Sequence, residues 1–325
     1  MVVLVQRRPA AVAATAKLVL DSESDSLDAF PRRRFRGPRQ AAEMFVSAAA
    51  QLYAGDGTTQ VRAVRTLAEI ADRSTSVLRQ QCVDVLCSYL RLPRSDRLGG
   101  YERAVRRTIT AVLGDRLRRG ARRSWSGATF DLRNAHLEDA DFTNAVFRGP
   151  VIFEHATLAG TTRFDGATFA AETHFQAATF DTAWFRRAVF ADSARFFGAR
   201  FDRARFDGTT FCGSAQFPLA DFAADARFPQ ATFRDGAYFD SARFRGTADF
   251  GAAGFSGPAR FDGATFTIDS SFDRARFPDP NPSAATDFGA AMVGDTADPP
   301  PVAAYRRPLA PIRTPATAVG PGNPG

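Results

Sequence analysis

A small α-helical domain followed by a β-solenoid of about seven coils is the fold class this sequence predicts. Three observations carry the prediction. Phenylalanine is heavily over-used, with 31 Phe against 5 Tyr and 2 Trp in 325 residues. From residue 132 to residue 277 a large apolar residue returns every five or six positions, a period that fits neither an amphipathic helix nor a half-buried strand. Before that, residues 40–126 follow the helical period.

Residues 1–39 read as a poorly ordered arm. An acidic run (Asp21, Glu23, Asp25, Asp28) is followed by Arg32, Arg33, Arg34, Arg36 and Arg39 among prolines. The first twenty residues are fairly apolar, but Arg7, Arg8, Pro9 and Lys17 interrupt them, so they are too short and too charged to cross a bilayer. A contact with the membrane surface stays open.

In the helical domain, residues 40–126, Val61, Val64, Leu67 and Ile70 line one face while Arg62, Arg65 and Glu69 lie off it. Leu78, Cys82, Val85, Leu86 and Tyr89 form a second stripe, and Val105, Ile109, Val112 and Leu113 a third. Gly55-Asp56-Gly57, Ser74 and the stretch Pro93–Gly100 punctuate them. About four helices fit. Each has one apolar face, so they must pack as antiparallel hairpins.

The repeat occupies 127–278. It has 28 large positions, of which 25 are Phe, and two residues before each sits a small one, Ala in 22 cases. So regular a pattern over 150 residues means stacked units rather than one globular core. One large and one small apolar side chain per pentad point inward, and the other three residues point out. Four pentads make a square coil, and adjacent coils bond backbone to backbone at about 4.8 Å. Phe142, Phe164, Phe185, Phe206, Phe228, Phe250 and Phe272 then form one interior ladder. The six-residue gaps are expected to be absorbed as corner bulges; the alternative is a coil enlarged to 21 or 22 residues. Residues 279–325 are rich in Pro, Ala and Gly without a periodic apolar face, and read as a disordered tail.

Ala140-Asp141-Phe142-Thr143-Asn144 and Ala220-Asp221-Phe222-Ala223-Ala224 match the A(D/N)LXX motif with Leu or Phe at its centre. On these residues the repeat region resembles the pentapeptide-repeat family. The resemblance implies a right-handed quadrilateral β-helix. The run VRAVRTLAEIAD, VLCSYLR, ERAVRRTI and WSGATF resembles the helical segment that precedes such repeats in some actinobacterial proteins. Some members of the family are similar to a short rod of B-DNA and bind DNA gyrase. They owe that to a strongly negative surface.

Charge here is differently arranged. The net +7 divides into about +11 over residues 1–126 and about −3 over the repeats. Attraction to nucleic acid or to an anionic membrane is therefore expected from the first part. On the repeats, a four-pentad coil stacks Asp141, Arg163, Trp184, Arg205, Arg227, Asp249 and Ser271 in one outward column. Arg163, Trp184, Arg205 and Arg227 form the candidate binding strip, because exposed Trp and Arg anchor interfaces; the plainer reading is a solvated face in which Arg stacks on Trp. A fourth column of Val146, Thr168, Val189, Thr210, Thr232, Gly254 and Arg276 is flat and bland, and suits a homodimer.

Chemistry has little to work with. His136, His155 and His174 are 19 residues apart, which puts them on different faces and makes no metal site. Cys82, Cys87 and Cys212 form no CxxC pair and read as buried thiols in a reducing compartment. No phosphate-binding, dinucleotide or hydrolase motif is present. No catalytic residue, metal or cofactor is assigned. The sequence is read as a non-enzymatic scaffold or adaptor in the cytoplasm or peripheral to the membrane, binding a protein partner it does not identify.

Overall fold

A computed structural model describes residues 38–94, 99–267, 269–278 and 292–293. The arm expected at 1–39 and the tail expected at 279–325 lie almost wholly outside the described residues.

Among the described residues four helices come first: α1 (Pro38–Ala54), α2 (Gly57–Arg73), α3 (Ser76–Leu90) and α4 (Gly99–Leu117). The sequence signals set their limits. Asp56 caps α2, its carboxylate accepting the Thr59 N–H at 2.8 Å. Ser74 ends α2 and the break around Pro93 ends α3. Val64, Leu67 and Ile70 of α2, Leu78, Cys82 and Leu86 of α3, and Val105, Ile109 and Leu113 of α4 are all buried in one core. Arg106 is also buried: it bonds Glu102 one turn earlier and donates to the Leu90 and Leu92 carbonyls, which closes the C-terminal end of α3.

The repeats form a parallel β-solenoid with four outward columns, as the five-residue period requires. The column of Asp131 is a seven-stranded sheet, and that of Val146 a six-stranded one. The columns of His136 and Asp141 merge into a single ten-stranded sheet, because strands Thr157–Arg163, Thr179–Trp184 and Arg200–Arg205 run straight through the corner between them.

Coil length follows from the pairing. Phe130 lies beside Val151 and Val151 beside Thr173, advances of 21 and 22 residues. The bulge and the enlarged coil prove to be the same device. Every passage from the Val146 column to the next coil takes a sixth residue, as at Phe147 to Phe153. The corner between the His136 and Asp141 columns takes one in some coils only. Where a coil with the extra residue meets one without it, the register slips between Leu158 and Thr161.

The two remaining corners are tight turns. At each, the third residue after a ladder position returns its N–H to the ladder carbonyl, as Ala135 does to Leu132 at 3.0 Å. The residue between has positive φ. The fourteen such positions include Gly166, Gly198, Gly208 and Gly263, but also Arg187, Gln230 and Leu219.

Inside, the rings stack. Phe142, Phe164, Phe185, Phe206, Phe228, Phe250 and Phe272 follow one another at 4.7–5.3 Å between centroids, tilted by 2–11°. Neighbouring ladders meet edge to face, as Phe185 and Phe196 do at 5.8 Å and 86°. Both geometries suit the ring quadrupole. Alanines fill the space beside the rings, and almost all are fully buried.

Candidate functional site

The helices are bound to the first coil by charge. Arg91 pairs with Asp131, Arg103 and Arg94 with Glu138, Arg107 with Asp139 at 2.9 Å and Arg118 with Asp141 at 3.9 Å. Gln80 exchanges two hydrogen bonds with the Thr129 backbone, at 2.8 and 2.9 Å. The basic excess of the helical part is thus partly met by carboxylates of the repeats. The hydrogen bond from Arg133, with Arg91 adding to it, holds Asp131 down to about 2. The hydrogen bond from Arg103 is the main cause lowering Glu138.

Farther along the rod, pairing places Arg163 beside Trp184, Trp184 beside Arg205 and Arg205 beside Arg227 in successive coils. Asp141 and Asp249 flank the run. Trp184 is half-buried. Arg163 lies over its ring at 5.0 Å, and so does Arg186 at 4.6 Å. Arg186 is fixed by two bonds to Asp165, at 3.0 and 2.8 Å. Arg227 lies 3.6 Å from both Asp207 and Asp249. Arg205 is exposed, with no ion-pair or side-chain hydrogen-bond partner among the described residues. The four strip residues therefore share a column but not a state. The Trp184 ring carries cations of its own chain, while the Arg205 guanidinium is free. Sequence reasoning missed Arg186, although its spacing of two from Trp184 brings it back to the same edge of the coil.

The histidines stand apart. His136 sits among Arg94 and Glu138, and burial followed by the Arg94 charge lowers its pKa. His174 lies between Glu154 and Glu172, at 3.6 and 3.3 Å. No group of three or more metal-ligating side chains occurs among the described residues. Cys82 and Cys87 are buried, and burial pushes both thiols up; Cys212 is half-buried on the Val146 column. A shallow depression is lined by Ser76, Val77, Arg79, Gln80, Gln81, Gly127 and Ala128. Arg79 there already bonds the Ala71 and Ser74 carbonyls, and Gln80 bonds Asp84 and Thr129. No helix of the described residues is long and apolar enough to cross a membrane.

A family model described as pentapeptide repeats, in nine copies, matches residues 132–179. Neither the curated proteins nor the solved structures gave a match. The register of the matched coils continues without a break to Phe277, which stacks on Phe255 at 4.8 Å. The chain carries a pentapeptide-repeat β-solenoid behind a helical N-terminal region.

Proposed function

We propose that this protein is a non-enzymatic interaction scaffold. Its rod docks a protein partner along the column of Arg163, Trp184, Arg205 and Arg227. One observation carries the reading: among the described residues the interior of the solenoid is filled by side chains, mostly Phe and Ala. A substrate needs a concave site with convergent polar groups. A filled rod offers its outer columns instead, and it holds them rigidly. On this column the exposed Arg205 supplies a free guanidinium beside a half-buried Trp, the residue types that dominate interface energetics.

The test is affinity capture from native lysate, quantified by mass spectrometry. The intact protein is compared with the Arg163/Trp184/Arg205/Arg227→Ala variant, folding being checked by circular dichroism. Loss of a saturable partner from the variant supports the strip. An unchanged set of partners rejects it.

A DNA-mimic role on gyrase has less support. Such mimicry calls for an acidic surface, and here arginines occupy the same columns as the aspartates. A supercoiling assay with purified protein separates the two readings. Inhibition of gyrase at micromolar protein would favour the mimic. Association of residues 1–126 with nucleic acid or anionic membrane also has less support, since Arg91, Arg94, Arg103 and Arg107 already face carboxylates of the first coil.

A further inference from the structure

A basic collar lies where the helices run into the rod. Residues 118–126 leave the end of α4 and cross the first coil on its Val146 side. Arg118 bridges to Ala145, the Arg119 N–H donates to the Asn144 carbonyl at 2.7 Å, and the Arg148 N–H donates to the Ser126 carbonyl at 2.7 Å. Between these anchors the chain turns at Gly120, with φ of 81°. The crossing brings Arg118, Arg119, Arg122, Arg123 and Arg148 into one region, all exposed. Few carboxylates face them. Arg118 lies 3.7 Å from Asp115 and 3.9 Å from Asp141. Arg123 lies 3.8 Å from Asp72, which Arg116 and Trp125 already hold. Glu69, farther along α2, pairs with Arg73 at 3.5 Å. Arg119 bonds the Thr168 hydroxyl at 3.1 Å. Arg122 and Arg148 have no ion-pair or side-chain hydrogen-bond partner among the described residues.

The chain that precedes α1 supplies what fits. Two residues, Gly55 and Asp56, join α1 to α2, and the two helices pack along each other, so they run antiparallel. The start of α1 at Pro38 therefore lies at the end of the helical domain that holds Asp72, Arg116 and the collar. Residues 29–37 separate Pro38 from the acidic run Asp21, Glu23, Asp25 and Asp28, within which no cation stands. A stretch of that length spans up to about 30 Å. So short a tether raises the local concentration of the run at the collar to the order of millimolar, which a free polyanion must match. Arg32, Arg33, Arg34 and Arg36 stand between the run and α1. The collar repels them, and Pro31 holds the residue before it extended, which keeps the two charge blocks apart.

We propose that the acidic run of this chain, residues 21–28, docks in cis on the collar of Arg118, Arg119, Arg122, Arg123 and Arg148. Exposed ion pairs are individually weak, so the contact depends on several at once and salt undoes it. The docked run masks charge that would otherwise draw nucleic acid or anionic membrane to this end of the molecule. The collar shares no residue with the Arg163–Arg227 column and does not depend on its role.

Carbodiimide coupling tests the contact, because Lys17 is the only lysine in the chain. The reagent activates a carboxylate, a touching amine displaces it to form an amide, and the carbodiimide leaves as its urea. A lysine placed in the collar therefore marks the carboxylate it meets. Arg122→Lys and Arg148→Lys keep the charge, and neither residue has a side-chain partner to lose. In the full-length protein each should couple to residues 21–28, read by mass spectrometry of the monomer. The yield should be at least about ten-fold that of Arg276→Lys, at the far end of the rod, because the tether concentrates the run at the collar. Arg91→Lys, coupling to Asp131, is the positive control. Sodium chloride at about 1 M, where the Debye length falls to about 3 Å, should abolish the difference. Coupling to the run no greater than at Arg276→Lys overturns the proposal, whether the lysines find other carboxylates or none. So does coupling found chiefly in cross-linked dimers, which would put the run on a second copy. Coupling unchanged by salt overturns it as well, since the contact would then not be made by charge.

Discussion

Trp125 donates its indole N–H to Asp72 at 3.0 Å, and the same carboxylate takes Arg116 in a two-pronged bond at 3.0 and 2.9 Å. Asp72 belongs to α2, Arg116 to the end of α4, and Trp125 to the segment that enters the first coil. One nearly buried carboxylate, 4% exposed, therefore ties the helical domain to the solenoid. The Trp125 ring is itself buried in the shared core. Asp72→Ala leaves the guanidinium and the indole N–H without their acceptor. The Arg116 side chain is 30% exposed and can turn to water, so the loss is that of the charge-assisted bonds and the orphaned indole N–H, about 2–3 kcal/mol. Urea denaturation should show that loss, while Glu69→Ala, on an exposed pair in the same helix, changes stability by less than about 1 kcal/mol.

Two buried threonines at Ala-type positions should respond in opposite senses to one change. The Thr209 hydroxyl donates to the Phe185 carbonyl at 2.6 Å. The Thr162 hydroxyl is buried with no partner. Valine keeps the shape and removes the hydroxyl. Thr209→Val should cost about 1 kcal/mol, the net worth of a hydrogen bond, and Thr162→Val should gain about 1 kcal/mol by removing an unsatisfied group. Thermal melts of the two variants side by side decide it. A loss of stability in Thr162→Val would mean that the hydroxyl has a partner after all.

The ladder should be most sensitive in its middle. Phe206 has a ring stacked on each side, at 4.8 and 4.7 Å. Phe272 lies toward the C-terminal end of the solenoid, stacked on Phe250 at 4.7 Å. Phe206→Ala opens a cavity that the flanking rings cannot close, at about 3–5 kcal/mol. In a repeat array each unit is supported by its neighbours, so Phe272→Ala, near the end of the array, should loosen the C-terminal coils and leave the rest of the rod intact. Hydrogen exchange separates the two: protection falls throughout the rod for Phe206→Ala, and only at the C-terminal end for Phe272→Ala.

The interior of the molecule was legible in the sequence because it is local and repeated. The Phe/Ala phase fixes which side chains point inward, and the five-residue period fixes the number of columns. The column of Arg163, Trp184, Arg205 and Arg227 could be written down from spacing alone. What such a pattern does not contain is a contact between distant, non-repeating residues. Nothing at Asp72 announces Trp125, 53 residues away, and nothing in the arginines of α3 and α4 announces the carboxylates of the first coil. The charge asymmetry read along the chain suggested an external polyanion. In three dimensions much of it is spent on the junction between the two parts.

That junction should be acid-labile while the rod is not. Asp131, near 2, and Glu138 are both held below their ordinary values. The unfolded values are near 3.9 for Asp and 4.3 for Glu. A depressed folded pKa contributes stability that is complete above the unfolded value and is lost as pH falls through the folded one. The attachment of the helices should therefore weaken from about pH 4 down to about pH 2. The solenoid core is Phe and Ala and carries no carboxylate to protonate. In a Trp184→Phe background, Trp125 is the only fluorophore of its kind and reports the junction. Its emission should shift to the red between pH 4 and pH 2, while the β-type circular dichroism of the rod persists. Arg91→Ala and Arg103→Ala should each move that transition to higher pH, because each removes a cation that holds a carboxylate ionised. Simultaneous loss of both signals above pH 4 would mean that cap and rod unfold as one unit, held by the buried contacts of Trp125 rather than by these ion pairs.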